Sequence, residues 1–301
     1  MAMAAQPVPD MLDTRAVMSV SIGPIPLAAG EEKTVCTVFK LGNTSAIDVT
    51  QFAATLAPGS HHLIFYKSVD TTEMKDPFVC NPLDISKGNV PYFIAQTANN
   101  NTLPVPAGAA FHIEAGQMVR LEAHYLNASA NPIMGLGTVN LSLGAAGVTY
   151  QPADIMFCGT VIPLLKGAGT GVPPGHTVLP HDFFVPPDGI KVFGLTTHEH
   201  SRGSLMTIDK ANGPMDPNAV NLTMGKPYDN PPFRVWKDPD LITFGKDSGG
   251  FATGLRWQCT YDNPTTTTYY WGESAATGEM CFLWAYYYPS VGHFIAQECQ
   301  R

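Results

Sequence analysis

Strand-like stretches run the length of this 301-residue chain, and no segment holds the helical period of about 3.6 residues. Short apolar or alternating runs fall at 34–41, 62–66, 118–126, 137–143, 189–195, 255–260 and 280–288. Clusters of Gly, Pro, Asn and Ser separate them, including the turn dipeptides Pro58-Gly59, Asp188-Gly189 and Asn212-Gly213. Short helices are expected only at 7–13 and 48–56. A strand-rich first half ends near 148–154, at Gly147 and Gln151-Pro152, and no strong internal repeat is visible. The pattern predicts an all-β protein of two antiparallel β-sandwiches, jelly-roll-like. The expected domains are 1–152 and 153–301.

Composition narrows the choice. Hydrophobic residues make up 45%, enough for a substantial core, but only 14% are charged, too few to coat long solvated helices. With 28 Gly and 26 Pro the chain is rich in turns. The net charge of −8 repels phosphate backbones, so nucleic acid is not an expected partner. No basic cluster and no apolar run approaching the roughly 18 residues of a membrane span is present, so no membrane partner is expected either. The glycine-rich stretch Gly167-Ala168-Gly169-Thr170-Gly171 has no following helix with a lysine and reads as a loop. No G-x-S-x-G elbow marks a serine hydrolase.

The six cysteines, Cys36, Cys80, Cys158, Cys259, Cys281 and Cys299, contain no C-x-x-C pair. Their wide spacing suits disulfides formed in an oxidising compartment, with six buried free thiols as the competing reading. The run Met1-Ala2-Met3-Ala4-Ala5-Gln6-Pro7 lacks the charged and apolar regions of a signal peptide. The expectation is an extracytoplasmic protein (secreted, periplasmic or in the lumen of the secretory pathway) whose leader is absent from this chain.

Histidines carry the candidate chemistry. His61-His62 follows Pro58-Gly59-Ser60 and leads into Leu63-Ile64-Phe65-Tyr66. Neighbours on a regular strand point to opposite faces, so the pair can meet one metal only where the chain bends. The Pro-Gly-Ser run supplies a bend. His124 sits in an alternating strand, and with His61 and His62 it could form a three-histidine site. His198-Glu199-His200 places two imidazoles on one strand face, with Glu199 pointing away as a surface group or a support for the ligands. Met280, in Glu279-Met280-Cys281, has the alternative reading of ordinary strand packing. His112, His176, His181 and His293 read as structural, and Tyr286-Tyr287-Tyr288 as strand packing on alternating faces.

These motifs occur in one order along two expected sandwiches. The set resembles the copper type II ascorbate-dependent monooxygenases, the family of peptidylglycine α-hydroxylating monooxygenase and dopamine β-monooxygenase. The local wording is similar too, in Arg120-Leu121-Glu122-Ala123-His124-Tyr125 and in Glu-Met-Cys followed by Tyr287-Tyr288-Pro289. The resemblance covers roughly residues 30–300. It implies two separate copper ions per chain: His61, His62 and His124 hold one for electron transfer, and His198, His200 and Met280 hold the one at which O2 is activated and a substrate C–H bond is hydroxylated. Ascorbate is the implied electron donor, across a solvent-filled cleft. The resemblance also implies disulfides Cys36–Cys80 and Cys259–Cys281, which leaves Cys158–Cys299. There the chain departs from the family, whose usual partner for the C-terminal cysteine lies nearer the H-x-H strand.

Substrate choice departs as well. Phe282, Trp284 and Thr196 share the ligand faces at places where the peptide-amidating enzymes hold an asparagine, a tyrosine and an arginine. Without that arginine there is no clamp for a carboxylate. A peptide ending in glycine is therefore not expected. The expected substrate is small, neutral or aromatic, packed on Phe282 and Trp284, with Glu122 near the other copper. Two other classes stay open. One is a copper-binding or redox protein without turnover on the same scaffold; the other is a β-sandwich adhesin or carbohydrate binder with coincidental histidines.

Overall fold

Alternation of buried and exposed residues builds the outer layers of the structure, a computed structural model that describes residues 16–83, 88–96, 101–226, 228, 231–296 and 299. The strand Ile133–Leu143 buries Gly135, Gly137, Val139 and Leu141 and turns Met134 and Leu136 outward. It pairs with Val17–Leu27 on one side and Ile47–Leu56 on the other. The helix expected at 48–56 is thus a strand. Ladders on both sides, and Val49, Thr50 and Phe52 buried between them, outweigh the helical preference of Ala53-Ala54. The helix expected at 7–13 lies outside the described residues.

Four strands are buried on both faces instead: Ser60–Lys67, Met118–Leu126, Lys191–Glu199 and Cys281–Tyr288. The first two lie side by side in a five-stranded sheet, in the order Met74–Val79, Glu32–Lys40, Met118–Leu126, Ser60–Lys67, Val90–Gln96. That sheet stacks on the Ile47–Leu56 layer through Phe52, Phe65, Phe93 and Phe111. The other two pair antiparallel in a second-half sheet that also holds Phe233–Val235, Asp154–Gly159 and Phe294–Ala296. A sheet centred on Gly254–Asn263 and Gly203–Ala211 covers its far side. The chain crosses from one sandwich to the other between Pro152 and Asp154. The fold is all-β, with mostly antiparallel sheets.

Strand periodicity divides the second-half core in two. Cys281, Leu283, Ala285 and Tyr287 face the interior of their own sandwich. Met280, Phe282, Trp284, Tyr286 and Tyr288 share one buried cluster with Phe93, Ile94 and other residues of the first half. Phe157 stacks on Phe282 at 4.6 Å and lies against Trp284 at 4.3 Å. Apolar contact therefore fills this part of the seam between the halves, while a hollow lined by Glu32, His124 and Ser274 opens at its edge. Cys36–Cys80 staples the first half, and Cys259–Cys281 and Cys158–Cys299 the second.

A main-chain hydrogen bond donor of the first half meets a side chain of the second within this apolar seam. The Ile94 N–H, on an edge strand, donates to the Tyr286 hydroxyl oxygen at 3.0 Å. Tyr286→Phe leaves that buried N–H without a partner and should cost about 1–3 kcal/mol, measured by urea unfolding. A change below a few tenths of a kcal/mol would show that the contact between the halves is not held there.

Candidate metal centre

A bulge brings the adjacent histidines together. In the ladder between Ser60–Lys67 and Met118–Leu126, Ser60 pairs with Tyr125 and His62 with His124, so His61 is the extra residue. The turn before it is made by Gly59, whose φ of 81° suits glycine. The two rings end 5.2 Å apart, and each is about 5 Å from His124. In the other half, His198 and His200 share a face of their strand, with ring centres 5.3 Å apart. The ladder pairs His198 with Phe282 and Glu199 with Cys281, so continuing the same register sets Met280 opposite His200, on the ligand face. Met280 is fully buried; its carbonyl accepts the Tyr261 hydroxyl at 2.8 Å.

The two sets are contiguous. The ligand atoms of His61, His62 and His124 lie within 4.8 Å of one another, and so do those of His61, His198 and His200. His61 is 7% exposed and the other four at most 2%. The separate centres implied by the resemblance thus meet at His61. Tyr228, half-buried, flanks it with ring centres 5.5 Å apart.

Each partner of these rings leaves one nitrogen bare. Glu32 accepts from His124 Nε2 at 2.9 Å, and Glu122 lies 3.4 Å from His62 Nε2. The Gln96 side-chain oxygen accepts from His198 Nδ1 at 2.7 Å, and the Gly278 carbonyl from His200 Nδ1 at 3.3 Å. The opposite atoms His62 Nδ1, His124 Nδ1 and His198 Nε2, together with His61 Nε2, are buried with no hydrogen-bond partner among the described residues. Orphaned ring nitrogens converging on one space are what a metal ion would satisfy. The acceptors behind them would fix tautomer and ring orientation.

Electrostatics keep four of the five rings uncharged. Burial, reinforced by the neighbouring imidazoles, holds His61, His62, His198 and His200 well below the usual histidine range. The Glu32 carboxyl is pulled down to about 2, chiefly by its bond to His124, with Ser274 and the Ala275 N–H adding to it. Burial pushes Glu122 up to about 6 despite bonds from the Leu83 N–H and the Tyr66 hydroxyl. Glu199 faces the interior of its own sandwich, not the surface, and neither carboxyl oxygen has a partner among the described residues. Burial and nearby Glu279 raise it well above the carboxylate range.

The remaining candidates scatter. Thr196 lends its hydroxyl oxygen to the Gln96 amide, and Phe282 and Trp284 are covered by Phe157 and the first half. His112 pairs with Asp48 and His176 with Asp262, both away from the cluster. Sequence reasoning does not single out Gln96, Glu32 or the Gly278 carbonyl. Glu32 shares a strand face with Thr34, the cross-strand partner of His124, but that register is visible only in the ladder.

Two β-sandwiches that turn histidine-bearing strands toward each other define a class of β-protein with a cluster able to hold metal between its halves. Residues 180–300 match the family model of the copper type II ascorbate-dependent monooxygenase C-terminal domain. The match contains His198, His200 and Met280 and does not reach His61, His62 or His124. No curated protein matches the sequence. Among solved structures, the major capsid protein P2 of bacteriophage PM2 aligns at 8% identity, covering 90% of this chain and 97% of that one, with a TM-score of 0.33. The glycosylasparaginase PNGase F of Flavobacterium meningosepticum aligns at 10% identity, covering 93% and 98%, with a TM-score of 0.35. Both likenesses are too loose to define a fold.

A neutral cluster has a pH signature. Unfolded histidines take up protons below about pH 6.5, while the folded protein holds His61, His62, His198 and His200 neutral there. The metal-free protein should therefore be most stable above that value and lose about 1.4 kcal/mol per pH unit for each such histidine as pH falls. Urea unfolding from about pH 7.5 down to about pH 5 measures the slope, and His61→Gln should reduce it by one histidine's share. A flat profile would show that the imidazoles are not kept neutral by the fold.

Proposed function

We propose that the protein is a copper-dependent monooxygenase that hydroxylates a substrate C–H bond with O2 and an external reductant such as ascorbate. The observation that carries this reading is the set of buried, bare ring nitrogens converging from both halves, one half lying in the matched family domain. The donor set fits the metal. Neutral imidazoles suit copper in either oxidation state, and a thioether favours Cu(I). Zinc gains nothing from methionine and cannot change oxidation state.

In this reading His61, His62 and His124 hold one copper, and His198, His200 and Met280 the other. Bound copper supplies one-electron redox chemistry and activation of O2. The protein's own groups do the rest. Glu122, Glu32, Gln96 and the Gly278 carbonyl orient the imidazoles. Phe157, Phe282 and Trp284 keep water from the ligand face. A neutral or aromatic substrate would meet Thr196, Phe282, Trp284 and Glu122, and their burial means that the halves must part to admit it. The three disulfides fit an extracytoplasmic site of action.

The same burial favours one second reading, a copper-binding or redox protein without turnover. Copper titration followed by spectroscopy, on wild type and Met280→Ile, separates the outcomes. The wild type should take up two coppers per chain and consume oxygen when given ascorbate and a usable substrate. Met280→Ile should keep the all-histidine centre, weaken Cu(I) binding at the other and abolish that consumption. Two coppers bound with no oxygen consumed across neutral and aromatic substrates supports the second reading. No copper uptake defeats both.

A further inference from the structure

Gln96 ends the edge strand Val90–Gln96 of the first half, opposite His62 in the ladder. Its side chain leaves that half. The Nε2 group donates to the Thr197 carbonyl at 2.8 Å and to the Thr196 hydroxyl oxygen at 3.0 Å. The Oε1 atom lies 2.7 Å from His198 Nδ1. The Gln96 main-chain N–H donates to Asn101 Oδ1 at 2.9 Å, which pins the strand end that presents the amide.

This arrangement permits one assignment of protons. A main-chain carbonyl can only accept, so the atom of Gln96 facing Thr197 must be its NH2 group. The oxygen then faces His198, and because it too can only accept, Nδ1 must carry the imidazole proton. The lone pair is left on Nε2, the buried atom without a partner among the described residues. Glutamine suits the place. An amide supplies both a donor and an acceptor to a dry seam without burying a charge.

We propose that Gln96 is a positioning residue that sets the tautomer and aim of His198 from the opposite half, so that metal binding at His198 and His200 depends on the halves being docked. The proposal rests on the copper reading above and adds a requirement to it. Among the described residues, Glu32 and Glu122 bond histidines of their own half, whereas Gln96 bonds a histidine of the opposite half. With the halves apart, His198 Nδ1 meets water and the ring samples both tautomers.

The test uses the full-length protein and two measurements. Nitrogen-proton NMR of the metal-free wild type should show the His198 proton on Nδ1; a proton on Nε2 overturns the proposal. Cu(I) affinity is then measured by competition with a chromophoric chelator. Gln96→Met, close in shape but unable to hydrogen-bond, should weaken the site built on His198 by about ten- to a hundredfold and leave the all-histidine site unchanged. Gln96→Glu, whose protonated carboxyl can still donate to the Thr197 carbonyl and accept from Nδ1, should recover most of that loss. Equal Cu(I) affinity in wild type and Gln96→Met overturns the proposal. So does equal loss in both variants, because that is the mark of a merely structural residue. A wild type that takes up no Cu(I) defeats the copper reading, while the NMR measurement still decides the hydrogen bond. If Gln96→Met does not fold, the wild-type spectrum and Gln96→Glu carry the decision.

Discussion

Five imidazoles share a space from which water is almost wholly excluded, and burial there holds four of them, His61, His62, His198 and His200, well below the usual histidine range. An imidazolium in this space would be desolvated and would face other rings about 5 Å away. The groups placed behind the rings are acceptors: two carboxylates, one amide oxygen and one main-chain carbonyl. They do not oppose protonation, which burial does; a bond such as that from the Gly278 carbonyl works the other way. Their effect is on the tautomer: each takes an N–H and leaves the far nitrogen's lone pair turned toward the shared space.

Period-two geometry delivers those rings. On Lys191–Glu199 and Cys281–Tyr288, alternate side chains go to different cores, so His198 and Phe282 look toward the first half while Glu199 and Cys281 look into their own sandwich. The only ligand that breaks alternation is His61, and it does so at a bulge behind a glycine in a left-handed conformation. A slip of one residue in either ladder would send the histidines to the wrong face. The disulfides brace these ladders, Cys36–Cys80 beside the strand that pairs with His124 and Cys259–Cys281 immediately after Met280.

Much of this is legible in the order of residues alone. Strand positions follow from short apolar runs between turn residues, and the histidine pairs stand out because their spacing relates directly to strand faces. The expectations that fail have a common cause. The segment 48–56 reads as helical because Ala53 and Ala54 favour a helix locally, whereas ladders on both sides decide its state. Glu199 is expected near the surface because charged residues are costly to bury, yet strand alternation forces it inward once His198 and His200 face the other way. Gln96 and Glu32 carry no local mark at all. Their roles exist only through registers and contacts between segments about a hundred residues apart or more.

The two histidines of the H-x-H strand are held by unlike means. For His200 the acceptor is the Gly278 carbonyl, within the same half. The loop that presents it is tied down by Arg202, which donates to Glu279 at 2.9 Å and to the Ala276 carbonyl and lies over the Tyr269 ring. Burial pushes Glu279 up to about 7, so this anchor is itself sensitive to neutral pH, whereas the amide that holds His198 does not titrate. The same loop is also held from the first half, where Glu32 accepts from the Ser274 hydroxyl and the Ala275 N–H. His198 is thus aimed directly across the halves and His200 through a loop anchored on both sides, so the aim of both rings depends on how the two halves meet.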